Sequence, residues 1–285
     1  MAVTDYLRRR FMPHIWCPGC GHGIVLNSLL RAIEKLELEK NDIVMISGIG
    51  CSARIQGYVD FHTMHTLHGR ALAFATGIKM AWPLLKVIVP MGDGDALAIG
   101  GNHFIHAARR NIDVTAIIMN NSIYGMTGGQ HSPLTPCGDQ ATTAPYGTVD
   151  SPFDVVRLAS AAGASFIART TTYHAREMTR LLAAAIEHRG FSVVEVLSQC
   201  PTYYGRKNDA GDAVAMMEGF RDGTVRIDRK TAETSDGDPG RLDGEAAGTP
   251  IGLFRREERP EYCEAYRRRV VEPAMAAGRG ESETP

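Results

Sequence analysis

Four cysteines have the type and spacing to hold a metal centre. Cys17-Pro18-Gly19-Cys20 puts two thiols on one tight turn, and the glycines of that stretch free backbone N–H groups to point at sulfur. Cys51 stands in Gly48-Ile49-Gly50-Cys51-Ser52, and Cys200 precedes Pro201 as Cys17 precedes Pro18. Three centres compete for these thiols. A zinc ribbon uses two Cys-x-x-Cys pairs, and one is present. A thioredoxin-like redox pair leaves Cys51 and Cys200 without a role. A [4Fe–4S] cluster accepts scattered single ligands that converge in space, and it is the reading favoured here. Cys137 and Cys263 receive no ligand role, since small buried or half-exposed thiols are the commoner case.

A second set carries oxygen. Gly92-Asp93-Gly94 is followed, after 25 intervening residues beginning with Asp95, by Asn120-Asn121. The Asp93 carboxylate, the Asn121 amide and nearby carbonyls are hard donors that suit a Mg²⁺ also touching phosphate. Gly92 and Gly94 let a pyrophosphate approach the backbone, with a helix N-terminus aimed at it. The plainer alternative is an ordinary βαβ crossover with a glycine-rich turn.

These residues need elements to hold them. The apolar run at residues 87–91 predicts a buried strand, residues 96–110 an amphipathic helix, and residues 114–119 a second strand. Polar residues then fall at the strand ends, where open parallel sheets place ligands. Strands at 42–46 and 63–67 precede and follow Cys51. Helices are expected at 155–162 and 174–188, the second stopped by Gly190, with a short strand at 166–169. A strand at 191–197 closes the sheet and delivers Cys200. The loop from 122 to 151 is long enough to be functional, as a cover or a partner surface.

Composition narrows the classes. With 285 residues and a formal charge of −1, the chain can hold one large α/β domain and carries no excess of positive charge for nucleic acid. No apolar run approaches the roughly 20 residues of a membrane span. Arg8-Arg9-Arg10 is followed by no apolar leader region. A cytoplasmic protein is expected, its six cysteines serving as ligands or core residues rather than disulfides.

Taken in succession, Trp16-Cys17-Pro18-Gly19-Cys20-Gly21, Gly48-Ile49-Gly50-Cys51-Ser52, Thr66-Leu67-His68-Gly69-Arg70-Ala71, Gly92-Asp93-Gly94 and Asn120-Asn121-Ser122-Ile123-Tyr124-Gly125-Met126-Thr127-Gly128-Gly129-Gln130 resemble the beta subunit of the 2-oxoacid:ferredoxin oxidoreductases, a thiamine diphosphate family of two-subunit enzymes. The resemblance covers about residues 11–205. It implies an α/β thiamine diphosphate-binding fold, a parallel sheet flanked by helices, over residues 1–205. Residues 206–285 would form a C-terminal extension with a linker at about 235–249, a helix at 210–220, an apolar anchor at 251–254, a charged helix or arm at 255–269 and a frayed end from 276.

The resemblance also implies residue roles. Cys17, Cys20, Cys51 and Cys200 would hold one [4Fe–4S] cluster, and Asp93, Asn121 and the Ile123 carbonyl the Mg²⁺. Ile49, Gly50, Cys51, Ser52, Thr66, His68, Gly69, Gly92, Gly94, Asp95, Gly125, Met126 and Thr127 would contact thiamine diphosphate, with Asp95 more a first-turn helix acid than a metal ligand and Met126 a prop under the thiazolium. No residue is singled out as catalytic. The implied reaction is oxidative decarboxylation of a 2-oxoacid, reversible, with the acyl group passed to coenzyme A and the electrons passed through the cluster to ferredoxin. Some members carry a lysine after Tyr-Gly-Leu-Thr; here Thr127-Gly128-Gly129-Gln130-His131-Ser132 lacks that charge and resembles the 2-oxoglutarate variants. A pyruvate-specific member, a non-redox thiamine lyase with structural metal, and a cluster-binding scaffold with a vestigial thiamine site are the alternatives. The glutamate for the cofactor's aminopyrimidine is expected from an alpha subunit, in an αβ pair that itself dimerises.

Overall fold

Alternation within the apolar runs sets the layers. In the computed structural model, which describes residues 1–227 and 248–280, strands form at β1 (Ile43–Ser47), β2 (His62–His65), β3 (Lys86–Gly92) and β4 (Thr115–Asn120). A small hairpin, β5 (Ile123–Tyr124) and β6 (Gln130–His131), follows; then come β7 (Phe166–Thr171), β8 (Ser192–Leu197), β9 (Thr224–Arg226) and β10 (Thr249–Arg256). The main sheet runs β2-β1-β3-β4-β8-β7-β10-β9. Every pairing in it is parallel except β10 with β7.

Ile43, Met45, Ile88, Ile117, Met119, Val194 and Val196 face one helical layer, α1 (His22–Lys35) and α6 (Ala175–Glu187). Their neighbours Val44, Ile46, Val87, Val89, Ala116, Ile118 and Val193 face the other, α2 (Ala71–Ala81), α4 (Gly101–Arg110) and α5 (Val155–Ala161). The central strands are therefore apolar at nearly every position, as a sheet covered on both faces requires. In α1 the stripe Val25, Leu26, Leu29, Leu30 and Ile33 recurs at helical spacing and is fully covered. Each such side chain contributes about 1.5–3 kcal/mol by leaving water.

From β1 the chain moves outward to the edge strand β2, whereas from β3 it moves the opposite way to β4. The loops after β1 and β3 part at this switch and open a crevice at the strands' carboxyl ends.

Several elements differ from expectation. The helix expected over 96–110 is two: α3 (Asp93–Leu97) starts on the Gly-Asp-Gly turn itself, and α4 begins at Gly101. The break lets Ile99 and Gly100 close onto Gly69, where a side chain on Gly69 would collide with both; one on Gly100 would strike the Asp95 and Ala96 carbonyls. Strand β2 begins and ends earlier than expected. Strand β8 does not close the sheet but lies inside it, between β4 and β7. Helix α6 ends at His188, and Gly190 takes its φ of +131° in the turn beyond, pressed against Asn111 and Ser165.

In the C-terminal region α7 (Ala213–Asp222) is capped by Asp212, which accepts from the Val214 and Ala215 N–H groups. The apolar anchor at 251–254 is part of β10, so the expected extension adds two strands to the main sheet. Arg255 and Arg256 end that strand; helix α8 (Tyr262–Tyr266), a π turn and α9 (Glu272–Gly280) follow. Most of the expected linker at 235–249 lies outside the described residues, as does 281–285. Among the described residues no helix is long and apolar enough to cross a membrane.

Candidate cofactor and metal site

The crevice holds a pocket of about 220 Å³. Its walls come from the loop after β1 (Ile49, Gly50, Cys51, Ser52), the turn after β3 (Gly92, Asp93, Gly94, Asp95), the segment after β4 (Asn121, Ile123, Gly125, Met126, Thr127) and His68. Thr66 and Gly69 stand behind this wall: the Thr66 hydroxyl donates to the Ser47 carbonyl at 2.9 Å, and the Gly69 N–H to Asp95 at 2.7 Å.

Asp93 is buried at the first position of α3. Its Oδ2 accepts from the Ser132 hydroxyl at 2.6 Å. Burial pushes its carboxyl up to about 6, against the Ser132 hydroxyl and the N–H groups of Gly94, Asp93 and Ile123 that favour the anion. A divalent cation would offset the lost solvation directly. Asn121 and Ile123 line the same pocket, where the Asp93 carboxylate and the Asn121 amide are oxygen donors of the kind a hard cation takes.

Asp95 ties the loops together. Its Oδ1 accepts from Gly69 N at 2.7 Å and Ile49 N at 3.3 Å. His68 Nδ1 lies 2.8 Å from the same oxygen, out of line for a hydrogen bond. Burial raises the Asp95 carboxyl while these N–H groups and His68 oppose the rise. Asp95 Oδ2 and the Ser52 hydroxyl are buried with no hydrogen-bond partner among the described residues, although both residues line the pocket. The Ser52 hydroxyl, an unpartnered donor beside glycine backbone, fits a phosphorylated ligand, whereas the Asp95 oxygen is an acceptor and calls for an N–H or O–H donor.

The thiols meet at the same place. A Cβ on Gly125 would sit 3.5 Å from Cys51 Sγ and 3.8 Å from Cys200 Sγ. Gly21 N donates to the Gln199 carbonyl at 3.1 Å, and Gln199 Nε2 to the Gly19 carbonyl at 3.1 Å, which staples the Cys17–Cys20 turn to the strand end bearing Cys200. Trp16 Nε1 holds the Cys51 carbonyl at 2.7 Å. Burial drives the Cys20 thiol up to about 12; the His22 N–H opposes this, and Cys200, Cys51 and Cys17 add to it. Cys51 rises to about 11 through burial and then through Cys200 and Cys17. Four thiolates in one neighbourhood repel one another unless a cationic centre joins them, and iron would supply it. Among the described residues, no three His, Cys, Asp or Glu side chains close on a single ion.

Cys137 is exposed and Cys263 buried, each apart from this group. His131 is engaged by the Thr143 hydroxyl at 2.7 Å.

Three residues at the site, His22, Tyr124 and Ser132, received no role from the sequence. His22 lines the pocket next to the Cys-x-x-Cys turn; burial lowers it to about 4, so it is neutral, and Nδ1 lies 3.2 Å from the Ser198 hydroxyl. Its place directly after Cys20-Gly21 was the available signal. The Tyr124 ring packs on Gly94, and burial, then Asp93 and Asp95, push its hydroxyl up to about 12. Asn120 turns away from the pocket to Glu195 at 2.8 Å. Ser132, the partner of Asp93, had no local signature.

Residues 48–196 match the family described as thiamine pyrophosphate enzyme, C-terminal TPP binding domain. The chain is 52% identical over 261 residues to the 2-oxoglutarate synthase subunit KorB of Archaeoglobus fulgidus, covering 92% of this chain and 91% of that one. It is 38% identical to the 2-oxoglutarate oxidoreductase subunit KorB of Mycobacterium tuberculosis, over 93% of this chain and 81% of the other. The solved 2-oxoglutarate:ferredoxin oxidoreductase from Magnetococcus marinus, with 2-oxoglutarate, coenzyme A and succinyl-CoA bound, superimposes with a TM-score of 0.83 at 34% identity, covering 100% of this chain and 97% of that one. The switch-point crevice with its turn and thiols, and relatives matched along nearly their whole length, lead to one assignment: the chain belongs to the thiamine diphosphate enzymes, as a beta subunit of the 2-oxoacid:ferredoxin oxidoreductases.

Proposed function

We propose that this chain binds thiamine diphosphate with Mg²⁺ and one [4Fe–4S] cluster and, paired with an alpha subunit, oxidatively decarboxylates 2-oxoglutarate, with coenzyme A taking the acyl group and ferredoxin the electrons. The observation that carries the reading is that Cys51 and Asp93 line one pocket. The bound coenzyme supplies the electron sink for decarboxylation, and the cluster a one-electron acceptor beside it.

The chain's own residues provide the holding. Asp93, Asn121 and the Ile123 carbonyl take the cation, and Gly92 and Gly94 admit the diphosphate to the backbone. The Ser52 hydroxyl has its hydrogen-bonding capacity free for that ligand. Ile49 and Met126, both partly exposed at the pocket, are its apolar walls. Cys17, Cys20, Cys51 and Cys200 hold the cluster. Gly125, lacking a side chain, leaves the space between Cys51, Cys200 and the pocket clear. The aminopyrimidine glutamate and much of the substrate pocket are assigned to the alpha subunit, in agreement with relatives named as subunits. A cytoplasmic setting keeps the thiols reduced.

The test is an anaerobic assay of the co-purified αβ complex over a panel of 2-oxoacids with coenzyme A, following visible absorption. Bleaching fastest with 2-oxoglutarate is expected; bleaching fastest with pyruvate would reassign the substrate. Replacing Cys51 by Ser should abolish bleaching while thiamine diphosphate binding stays within about threefold, because the diphosphate anchors lie elsewhere.

A further inference from the structure

A continuous run of buried and half-buried hydrogen bonds connects the interior of the sheet to the Asp93 carboxylate. Arg169, on β7, donates from Nε to Glu195 Oε2 at 2.6 Å and from Nη2 to Asp154 Oδ2 at 3.0 Å. Glu195, on β8, uses Oε1 to accept from Asn120 Nδ2 at 2.8 Å. Asn120 Oδ1 accepts the Ser122 N–H at 3.1 Å, and Ser122 has a left-handed φ of +58°. The Ser122 carbonyl accepts from the Thr135 hydroxyl at 2.6 Å. Thr135 Oγ1 accepts the Ser132 N–H at 2.8 Å, and the Ser132 hydroxyl donates to Asp93 Oδ2 at 2.6 Å.

A serine held at positive φ is strained unless its surroundings fix it there. Here both sides of the turn are fixed, through Asn120 from the sheet and through Thr135 from the loop. The residues flanking Ser122 are Asn121 and Ile123, which both line the pocket. A buried ion pair such as Arg169–Glu195 is seldom retained for stability alone. It does orient the Glu195 carboxylate so that one oxygen is left for Asn120.

We propose that Glu195, Asn120 and Thr135 are positioning residues for the cation turn, setting Asn121 and Ile123 against Asp93 without touching the ion. The inference rests on the reading of Asp93, Asn121 and Ile123 as the Mg²⁺ site. It explains why the motif ends in two asparagines: one faces the pocket and the other anchors the turn.

The experiment uses the αβ complex dialysed free of Mg²⁺ and thiamine diphosphate. Thiamine diphosphate is titrated calorimetrically at fixed Mg²⁺, and melting temperatures are taken with and without both. Asn120→Ala and Thr135→Val should each weaken binding about tenfold or more, the scale of lost outer-shell support at metal sites. A core control, Phe104→Leu, should lower the melting temperature and leave affinity unchanged. Thr135→Val is isosteric and lies outside the sheet, so it decides the matter if Asn120→Ala fails to fold. Undiminished binding by Asp93→Ala would overturn the site reading itself. Lost binding in Asp93→Ala, with both Asn120→Ala and Thr135→Val within about twofold of the parent, would overturn the positioning role alone.

Discussion

Asp95 shows how much one carboxylate can organise. It sits two residues past the proposed cation ligand, yet its contacts run to Ile49, Gly69 and His68 on two other loops. Gly48 leaves it room, since a Cβ there would overlap both carboxylate oxygens. Gly48→Ala should therefore displace Asp95, cost about 1–3 kcal/mol and weaken thiamine diphosphate binding. Thermal melting and calorimetry of the αβ complex check both effects; an unchanged melting temperature would show that the loop yields without strain. Residue types that chemistry restricts, thiols and a glycine-flanked acid, were legible in the sequence. Ser132 was not, because a lone serine in a loop becomes a carboxylate partner only through tertiary contact. Asp95 does stand in the first turn of α3 as expected, but its bonds to Ile49 and Gly69 were not legible, because they depend on loops remote in sequence.

At the scale of elements, continuous apolar runs identified the central strands because both sheet faces are covered. The break between α3 and α4 was hidden, since the amphipathic pattern continues across it while the cause, close packing of Ile99 and Gly100 on Gly69, is long-range. Helix α5 offers a titration test. Asp154 caps it by accepting from the Arg157 N–H at 2.8 Å and pairs with Arg169 at 3.0 Å. Burial acts to raise the Asp154 carboxyl, but the Arg169 charge and these hydrogen bonds overcome it and hold it below the ordinary value. A depressed folded-state pKa gives stability that is present above the unfolded value and disappears as pH falls through the folded one. Between about pH 5 and pH 3 the parent should thus lose melting temperature more steeply than Asp154→Asn. Equal slopes would remove Asp154 from that part of the acid limb.

For the molecule as a whole, the C-terminal region is more than an appendage. Strand β10 pairs with β7, and Phe254 lies 5.7 Å from the Arg169 guanidinium, so this late segment covers the ion pair behind the site. The apolar run at 251–254 was legible in the sequence but its partner was not, because an antiparallel pairing across such a distance leaves no local mark. Removing it by truncation after residue 223 should expose Arg169 and lower the melting temperature of the complex by about 10 °C, since burial of Ile251 and Phe254 alone is worth about 3–6 kcal/mol; scanning calorimetry reads this directly. The central claim is that thiols from three separate parts of the chain gather beside the coenzyme pocket around iron. Its most direct measurement is iron and acid-labile sulfide content of the anaerobically purified αβ complex, parent against Cys200→Ser. About four of each per beta chain are expected in the parent, and their loss in the variant. Zinc in place of iron, or an iron content unmoved by Cys200→Ser, would contradict it.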